Sequence, residues 1–350
     1  MNKLACVCVI AFVTCATWGD TVKFGVLALD SQTDLPVPGA VIKAGFEEDR
    51  GVWARDRYKC TFKQYVSDNN GCAQVQGSSN NGEAGATIVG AEGYYTPAHS
   101  DVPRFRKKNL FGVWQPDDLV VTVRLQRVER PIPLWVKMIG SFAHDTCGED
   151  LFAKGDGRIA FDFFVGDWLP PVGHGKVADV EFTRMPHEDL GEAENNGIKA
   201  KAYRDAVTVR FPGEDNGLLE MHPLPMARLK IRTAPESGYA PDYRCWKGVG
   251  KQLQRDTNYN ENRCFCFRIR TRRAPDGSIC EAYYGKIYGD FKIPSKSGPF
   301  IPVASVWMLY YLNPTSLDRN LEWDMKNNLC PGSLGSNLCP NPGSLGQLQP

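Results

Sequence analysis

The amino-acid sequence predicts an all-β protein of two domains, a small β-sandwich followed by a larger antiparallel β-domain. Three observations carry that expectation. Apolar residues recur in short runs at a two-residue period, the spacing of half-buried strands. Turn-forming residues punctuate the runs, with 34 Gly and 24 Pro in a chain of 350. The i, i+3, i+4 spacing of an amphipathic helix is scarce. A chain of 350 residues accommodates two domains. Its 42% hydrophobic and 23% charged residues are the composition of a folded globular protein.

The first strand is residues 21–30 (TVKFGVLALD), where Val22, Phe24, Val26 and Ala28 alternate with Lys23, Gly25 and Leu27. A turn follows over Asp30-Ser31-Gln32-Thr33-Asp34. The chain resumes at Pro38-Gly39-Ala40-Val41-Ile42-Lys43-Ala44, with proline at the strand entrance where its missing N–H costs least. Residues 67–95 (SDNNGCAQVQGSSNNGEAGATIVGAEGYY) organise the rest of this domain. Asp68-Asn69-Asn70-Gly71 and Asn80-Asn81-Gly82 tolerate the positive φ of tight turns. Short strands are expected at 73–77 and 86–91, and a Gly-Tyr-Tyr corner ends the stretch at Tyr95. Residues 119–128 (LVVTVRLQRV) make the last strand.

The order LxxDSQTDLPVPGAVIKA at 27–44, SDNNG at 67–71, ATIVGAEGYY at 86–95 and LVVTVRLQRV at 119–128 resembles a carboxypeptidase regulatory-like domain, a family similar to transthyretin. The resemblance covers residues 21–128. It implies an Ig-like, transthyretin-like sandwich of about seven strands, in a non-catalytic accessory or adhesive module, and it carries over no active site. Residues 47–59 and 97–116 are insertions relative to the compact pattern of that family.

Residues 1–19 (MNKLACVCVIAFVTCATWG) place one Lys ahead of an apolar run that ends in small residues, the pattern of a signal peptide cleaved after Ala16 or Gly19. The run is shorter than the roughly 20 residues of a spanning helix. The mature chain is therefore expected to be secreted, periplasmic or extracellular, without a membrane span. Thr14 before Cys15 is not the small residue of a lipoprotein signal. Loss of Lys3 leaves 40 of the 41 basic residues against 40 acidic ones, and neutrality weighs against a nucleic-acid partner. Of 12 cysteines, nine remain: Cys60, Cys72, Cys147, Cys245, Cys264, Cys266, Cys280, Cys330 and Cys339. In an exported chain these are read first as disulfides, and an odd number leaves at least one thiol free or joined to another molecule.

Pro131 and Pro133 stop the last strand of the first domain. The first domain is thus 20–128, the second 134–328, and a Pro/Gly-rich tail occupies 329–350. Residues 134–140 (LWVKMIG) form a strand expected to dock the second domain on the first. Strands are expected at 159–168, 177–183, 199–211 and 226–233, with an acidic loop at 186–196. The clearest hairpin is 264–290, where Phe265, Phe267 and Ile269 alternate with Arg268, Arg270 and Arg272 before the turn Pro275-Asp276-Gly277. Residues 301–312 (IPVASVWMLYYL) are apolar almost throughout, which predicts a central strand covered on both faces. The blocks FDFFVGDWLPPVGHGKVADVEF (161–182), YYGKIYGDF (283–291) and YYLNPTSLDRNLEWD (310–324) resemble those of a family of uncharacterised secreted bacterial proteins. That resemblance spans most of 130–328 and implies the same two-module architecture without a mechanism. The tail repeats NLCPGSLG as NLCPNPGSLG, and its Pro and Gly content predicts disorder.

Candidates for chemistry are few. His99, His144, His174, His187 and His222 never fall into HxH, HExxH or HxxxH spacing. Cys264-Phe265-Cys266 with Cys245 and Cys280 lacks the knuckle spacing of a four-cysteine metal site, so no metal or other cofactor is expected. No GxSxG, Walker loop or GxGxxG occurs. Asp162, Asp167, Asp179 and Glu181 are the place to look for a glycosidase pair, whose carboxylates sit about 5 or 6.5 to 9.5 Å apart. Asp179 and Glu181 fit equally the solvent face of a strand, and Phe161 and Phe163 point away from Asp162 in a regular strand. Arg268, Arg270, Arg272 and Arg273 form a basic stripe, suited to an acidic polysaccharide or to a solvated face balanced by Glu281 and Asp290. Trp168, Tyr283, Tyr284, Tyr288, Tyr310 and Tyr311 read as a sugar-stacking platform or as core.

These observations favour an exported, non-catalytic binding or structural protein of the cell surface or extracellular space. Its expected partner is a polysaccharide or a cell-surface protein, with no catalytic residue assigned and the ligand-binding residues left open. The alternative is a glycoside hydrolase using the carboxylates of Asp162, Asp167 and Asp179.

Overall fold

The structure, a computed structural model, describes residues 20–51, 55–95, 105–139, 152, 155–221, 231–260, 263–292 and 306–330. The expected signal peptide, most of the tail and most of the strand expected at 226–233 lie outside these residues. Every element with defined bounds is a β-strand, so the chain is all-β. It divides into two compact units, Met1–Arg127 and Val128–Pro350.

In the first unit, one sheet has β1 (Thr21–Asp30) between an antiparallel β4 (Cys72–Ser78) and a parallel β8 (Val120–Leu125). The other has β2 (Val41–Asp49) between β3 (Tyr58–Val66) and β5 (Ala84–Gly90). β6 (Lys107–Lys108) and β7 (Trp114–Gln115) pair as a short ribbon. Alternate residues of both sheets, Val22, Phe24 and Val26 from β1 and Ile42, Ala44 and Phe46 from β2, share one buried core, as in a sandwich.

The turns set that register. The Asp68 carboxylate accepts hydrogen bonds from the Asn70 and Cys72 N–H groups, both at 2.9 Å. Gly71 has φ 72°, and a Cβ there would stand 2.5 Å from the Ala28 carbonyl oxygen, so only glycine fits. After β1, the Asp30 carboxylate accepts from the Gln32 and Thr33 N–H groups and from the Tyr94 hydroxyl, which ties the Gly-Tyr-Tyr corner to the first turn. Burial opposes ionisation of Asp30, but these donors outweigh it and bring its pKa down to about 2. Much of 47–59, expected as an insertion, extends the hairpin of β2 and β3; β3 itself was not anticipated.

The second unit packs two larger sheets. One runs β15 (Gly217–Met221), β18 (Cys264–Arg273), β19 (Ile279–Lys292), β20 (Trp307–Leu312), β9 (Ile132–Ile139) and β21 (Trp323–Asn328). The other runs β11 (Asp167–Trp168), β10 (Arg158–Asp162), β12 (Val180–Arg184), β14 (Ile198–Arg210), β16 (Asp242–Val249) and β17 (Arg255–Thr257), with β13 (Glu188–Asn195) also paired to β14. An aromatic core holds Phe161, Phe163, Phe182 and Phe211 together with Phe265, Phe267 and Tyr310, and Phe163 stacks on Phe267 with ring centroids 4.6 Å apart. A second buried layer takes Cys264, Cys266, Tyr284, Tyr288 and Tyr311 from the same β18–β20 strands, with Leu134, Val136 and Trp323. β20 is thus covered on both faces, as its apolar run predicts.

Three expectations are corrected here. Residues 159–168 are not one strand, because Asp162 caps a turn at 163–166 and Gly166 takes φ 69°. The acidic loop expected at 186–196 holds β13, in which Glu192 and Glu194 lie opposite Lys201 and Lys199, and cross-strand charge pairing makes a strand of an acidic segment. Residues 134–140 fall mainly in β9, the strand expected there, which lies between β20 and β21. Cys60, Cys72, Cys245, Cys266 and Cys280 are free thiols where disulfides were expected. Cys245 and Cys266 sit in different core layers, with the six-stranded sheet between them.

Candidate functional site

The acids singled out by the sequence meet at Arg270. Asp162 and Asp179 are 1% and 2% exposed, so each needs internal partners. The Asp162 Oδ1 accepts from the N–H groups of Phe164 and Val165 at 3.0 and 3.1 Å and from Arg270 Nη2 at 2.8 Å. Its Oδ2 accepts from the N–H groups of Lys176 and Val177, both at 3.0 Å. Asp179 accepts from Arg270 Nε at 2.8 Å and Nη2 at 2.9 Å, and from the Phe163 N–H at 2.9 Å. One guanidinium thus bridges two carboxylates at the ends of the loop 163–178 and pins both ends. The Tyr310 hydroxyl donates to the Phe163 carbonyl at 3.0 Å, and Lys137 Nζ donates to the Gly166 carbonyl, so the loop is also held along its course.

Arg270 reaches these acids because its strand breaks step. Strict alternation along β18 would put it on the face of Cys264, Cys266 and Arg268. A register shift between Ile269 and Arg272, with Arg270 at φ 52°, turns the side chain to the opposite face. Burial opposes ionisation of Asp162, but the Lys176, Val165 and Val177 N–H groups and Arg270 outweigh it and hold its pKa below the ordinary value. Burial pushes Asp179 up, past the downward pull of Arg270 and the Phe163 N–H.

Such a split between two neighbouring carboxyls is what an acid–base pair needs. The geometry supplies something else. A catalytic carboxyl must present an oxygen to substrate, and here the two carboxylates together accept eight hydrogen bonds from the chain itself. The cluster is a clamp. Asp167 lies opposite Asp162 in the ladder of β10 and β11, half-exposed, and accepts from the His174 N–H at 2.9 Å. Glu181 pairs with Arg158. The solvent-face alternative for Asp179 is therefore corrected, since an acid there was matched to an arginine 91 residues away.

What the clamp supports is an aromatic cluster. The Arg270 guanidinium lies 4.3 Å above the Phe164 ring, and Phe164 meets Trp135 and Tyr283 edge-on at 4.9 and 4.8 Å. All four side chains are partly buried. Of the aromatic residues expected to form a platform, only Tyr283 belongs to it. Tyr284, Tyr288, Tyr310 and Tyr311 are buried, and Trp168 packs edge-on against Phe161 at 5.1 Å. Trp135 and Phe164 carried no periodic signal that set them apart from core residues.

The basic stripe does not form either. Arg268 is buried and donates to the Asp215 and Glu236 carbonyls at 2.6 and 3.0 Å. Arg273 pairs with Asp215 at 2.6 Å and Arg272 with Glu281 at 3.2 Å, the latter as expected. Asp290 instead joins Arg263 and the Tyr243 hydroxyl. Among the described residues no group of three or more His, Cys, Asp or Glu is placed to hold a metal ion, and no helix is long and apolar enough to cross a membrane. His99, His144 and His222 lie outside the described residues.

The fold and the clamp define an all-β protein of two sandwich units with a loop pinned by an Asp–Arg–Asp bridge. No protein-family model and no curated protein matches the chain. Among solved structures, the crystal structure of BcpA, the major pilin subunit of Bacillus cereus, aligns with 83% of this chain and 95% of its own at 10% identity and a TM-score of 0.20. At that TM-score the superposition says nothing of function.

Proposed function

We propose that the chain is an exported, non-catalytic binding or structural protein of the cell surface or extracellular space, contacting carbohydrate or protein. The observation that carries this reading is the engagement of Asp162 and Asp179 with Arg270 and the loop backbone, which leaves the acids an enzyme would use as structural ligands of a loop. The partly exposed Trp135, Phe164 and Tyr283 beside that loop are the surface we assign to contact, because aromatic faces stack on sugar rings and anchor protein partners alike. Export rests on residues 1–19. The first unit is read as a carboxypeptidase regulatory-like module, a reading supported by its motif order and by the pairing of two three-stranded sheets around β1 and β2.

The test is a glycan array and a panel of polysaccharides presented to the full chain. Retention without release of reducing sugar, weakened by Trp135→Ala or Phe164→Ala, supports the reading. Release of reducing sugar that Asp162→Asn, Asp167→Asn or Asp179→Asn abolishes, with folding intact, moves the protein to the glycoside hydrolases.

A further inference from the structure

Among the described residues β3 is an edge strand, and every residue of it except Tyr65 is exposed. Its Tyr58, Phe62 and Val66 are 50%, 58% and 60% exposed, and they recur on one face. Phe62 lies over Gly45 of β2, and Lys43 Nζ sits 4.4 Å from its ring, so the row is held in place and turned outward. The ladder of β2 and β3 runs without a register shift from Val41 opposite Val66 to Asp49 opposite Tyr58. An exposed, regular edge of this length, with Tyr58, Phe62 and Val66 on one face and Lys59 and Lys63 on the other, is a template for another strand. The facing edge of β4 is treated differently: the Gln76 N–H donates to the Tyr65 hydroxyl at 3.1 Å, and the Gln76 carbonyl accepts from Tyr65 and from Lys63 Nζ.

Backbone direction identifies which groups of β3 are offered. The Ser67 N–H donates to the Ala40 carbonyl, and the Arg57 carbonyl accepts from the Arg50 N–H. Odd-numbered residues therefore turn their backbone to β2, while Tyr58, Cys60, Phe62, Gln64 and Val66 turn theirs to the open edge. We propose that this edge is occupied by β3 of a second copy of the chain, antiparallel, with a two-fold axis through Phe62. In that register Phe62 faces Phe62 of the second copy, Cys60 faces Gln64, and Tyr58 faces Val66, so all the outward N–H and carbonyl groups are paired. The charges choose the same alignment. Lys59 then lies opposite Tyr65 and Lys63 opposite Thr61. Moving the axis to Thr61 sets Lys59 opposite Lys63, and moving it to Lys63 sets that residue opposite itself; both shorten the ladder and oppose like charges. The contact is isologous and closes as a dimer. It joins two three-stranded sheets into one of six, with Tyr58, Phe62 and Val66 of both copies on one face.

Sedimentation equilibrium of the full chain over a range of protein and salt concentrations tests the proposal. A reversible dimer is expected that tightens as salt rises, because the strand carries Lys59 and Lys63 and no acid, and screening relieves their repulsion. Phe62→Lys should weaken it at least about tenfold, the effect of placing two like charges at the axis, with an unchanged unfolding midpoint at concentrations where the wild type is monomeric. Gln64→Cys, oxidised mildly, should give chains joined from Cys60 to residue 64, since hydrogen-bonded antiparallel pairs stand about 5.5 Å apart at Cα, within disulfide reach. A monomer at every concentration with no such cross-link overturns the proposal. So does a dimer that Phe62→Lys leaves intact, or one that salt dissociates, which would mark an acidic partner surface.

Discussion

β18 and β3 both interleave basic residues with apolar ones and end in opposite surroundings. On β18, Arg268 is buried and Arg270 is mostly covered, because distant segments deliver acceptors to them: the Asp215 and Glu236 carbonyls for the first, Asp162 and Asp179 for the second. On β3, Lys59 and Lys63 remain exposed along with Phe62, and Lys63 donates to the Gln76 carbonyl. A charged strand residue enters the interior only where its partners are already in place, since an unpaired buried charge costs more than burial of its neighbours returns. Alternation along a strand is silent on whether such partners exist.

Three substitutions probe that contrast, from the largest effect down. Arg270→Met removes the common partner of Asp162 and Asp179 and leaves two buried carboxylates facing each other. A loss of about 2–4 kcal/mol is expected, near the range for breaking a buried pair, measured by denaturant unfolding of the second unit. Asp30→Asn tests the same rule for an acid supplied with ready donors in the first unit. Its folded pKa of about 2 lies below the 3.8 of an unperturbed aspartate, so its contribution is present above about pH 4 and fades as pH falls toward 2. The substitution should cost about 1–2 kcal/mol at pH 7, and the gap between variant and wild type should close on acidification. A gap that widens at low pH would contradict the assignment. Phe62→Ser on β3 should change the stability of the isolated chain by under about 0.5 kcal/mol, as for most exposed positions, which separates its effect on association from any effect on folding.

The sequence makes the regular parts legible. β1 has the bounds that its alternation predicts and buries Val22, Phe24, Val26 and Ala28, the turn at Asp68 to Gly71 follows from its chemistry, and the hairpin of β18 and β19 follows from its period and its Pro-Asp-Gly turn. β3 and β13 were hidden because neither buries a full apolar face: one is an exposed edge, and the other is held by pairs such as Glu192 opposite Lys201. Asp162 and Asp179 stood out as acids, but their role did not. Their partner is 108 and 91 residues away, and it points toward them only through a local shift of strand register at a residue with positive φ, which nothing in the composition of β18 announces.

The central claim, that Asp162 and Asp179 are ligands of a loop rather than a catalytic pair, is tested most directly by following unfolding and polysaccharide hydrolysis together in wild type, Asp162→Asn and Asp179→Asn. The clamp predicts that each variant unfolds earlier than wild type, that hydrolysis is at background in all three, and that the acid-linked fall in stability is smaller in Asp162→Asn than in wild type. Hydrolysis by the wild type that either substitution abolishes while the unfolding midpoint stays where it was would contradict it.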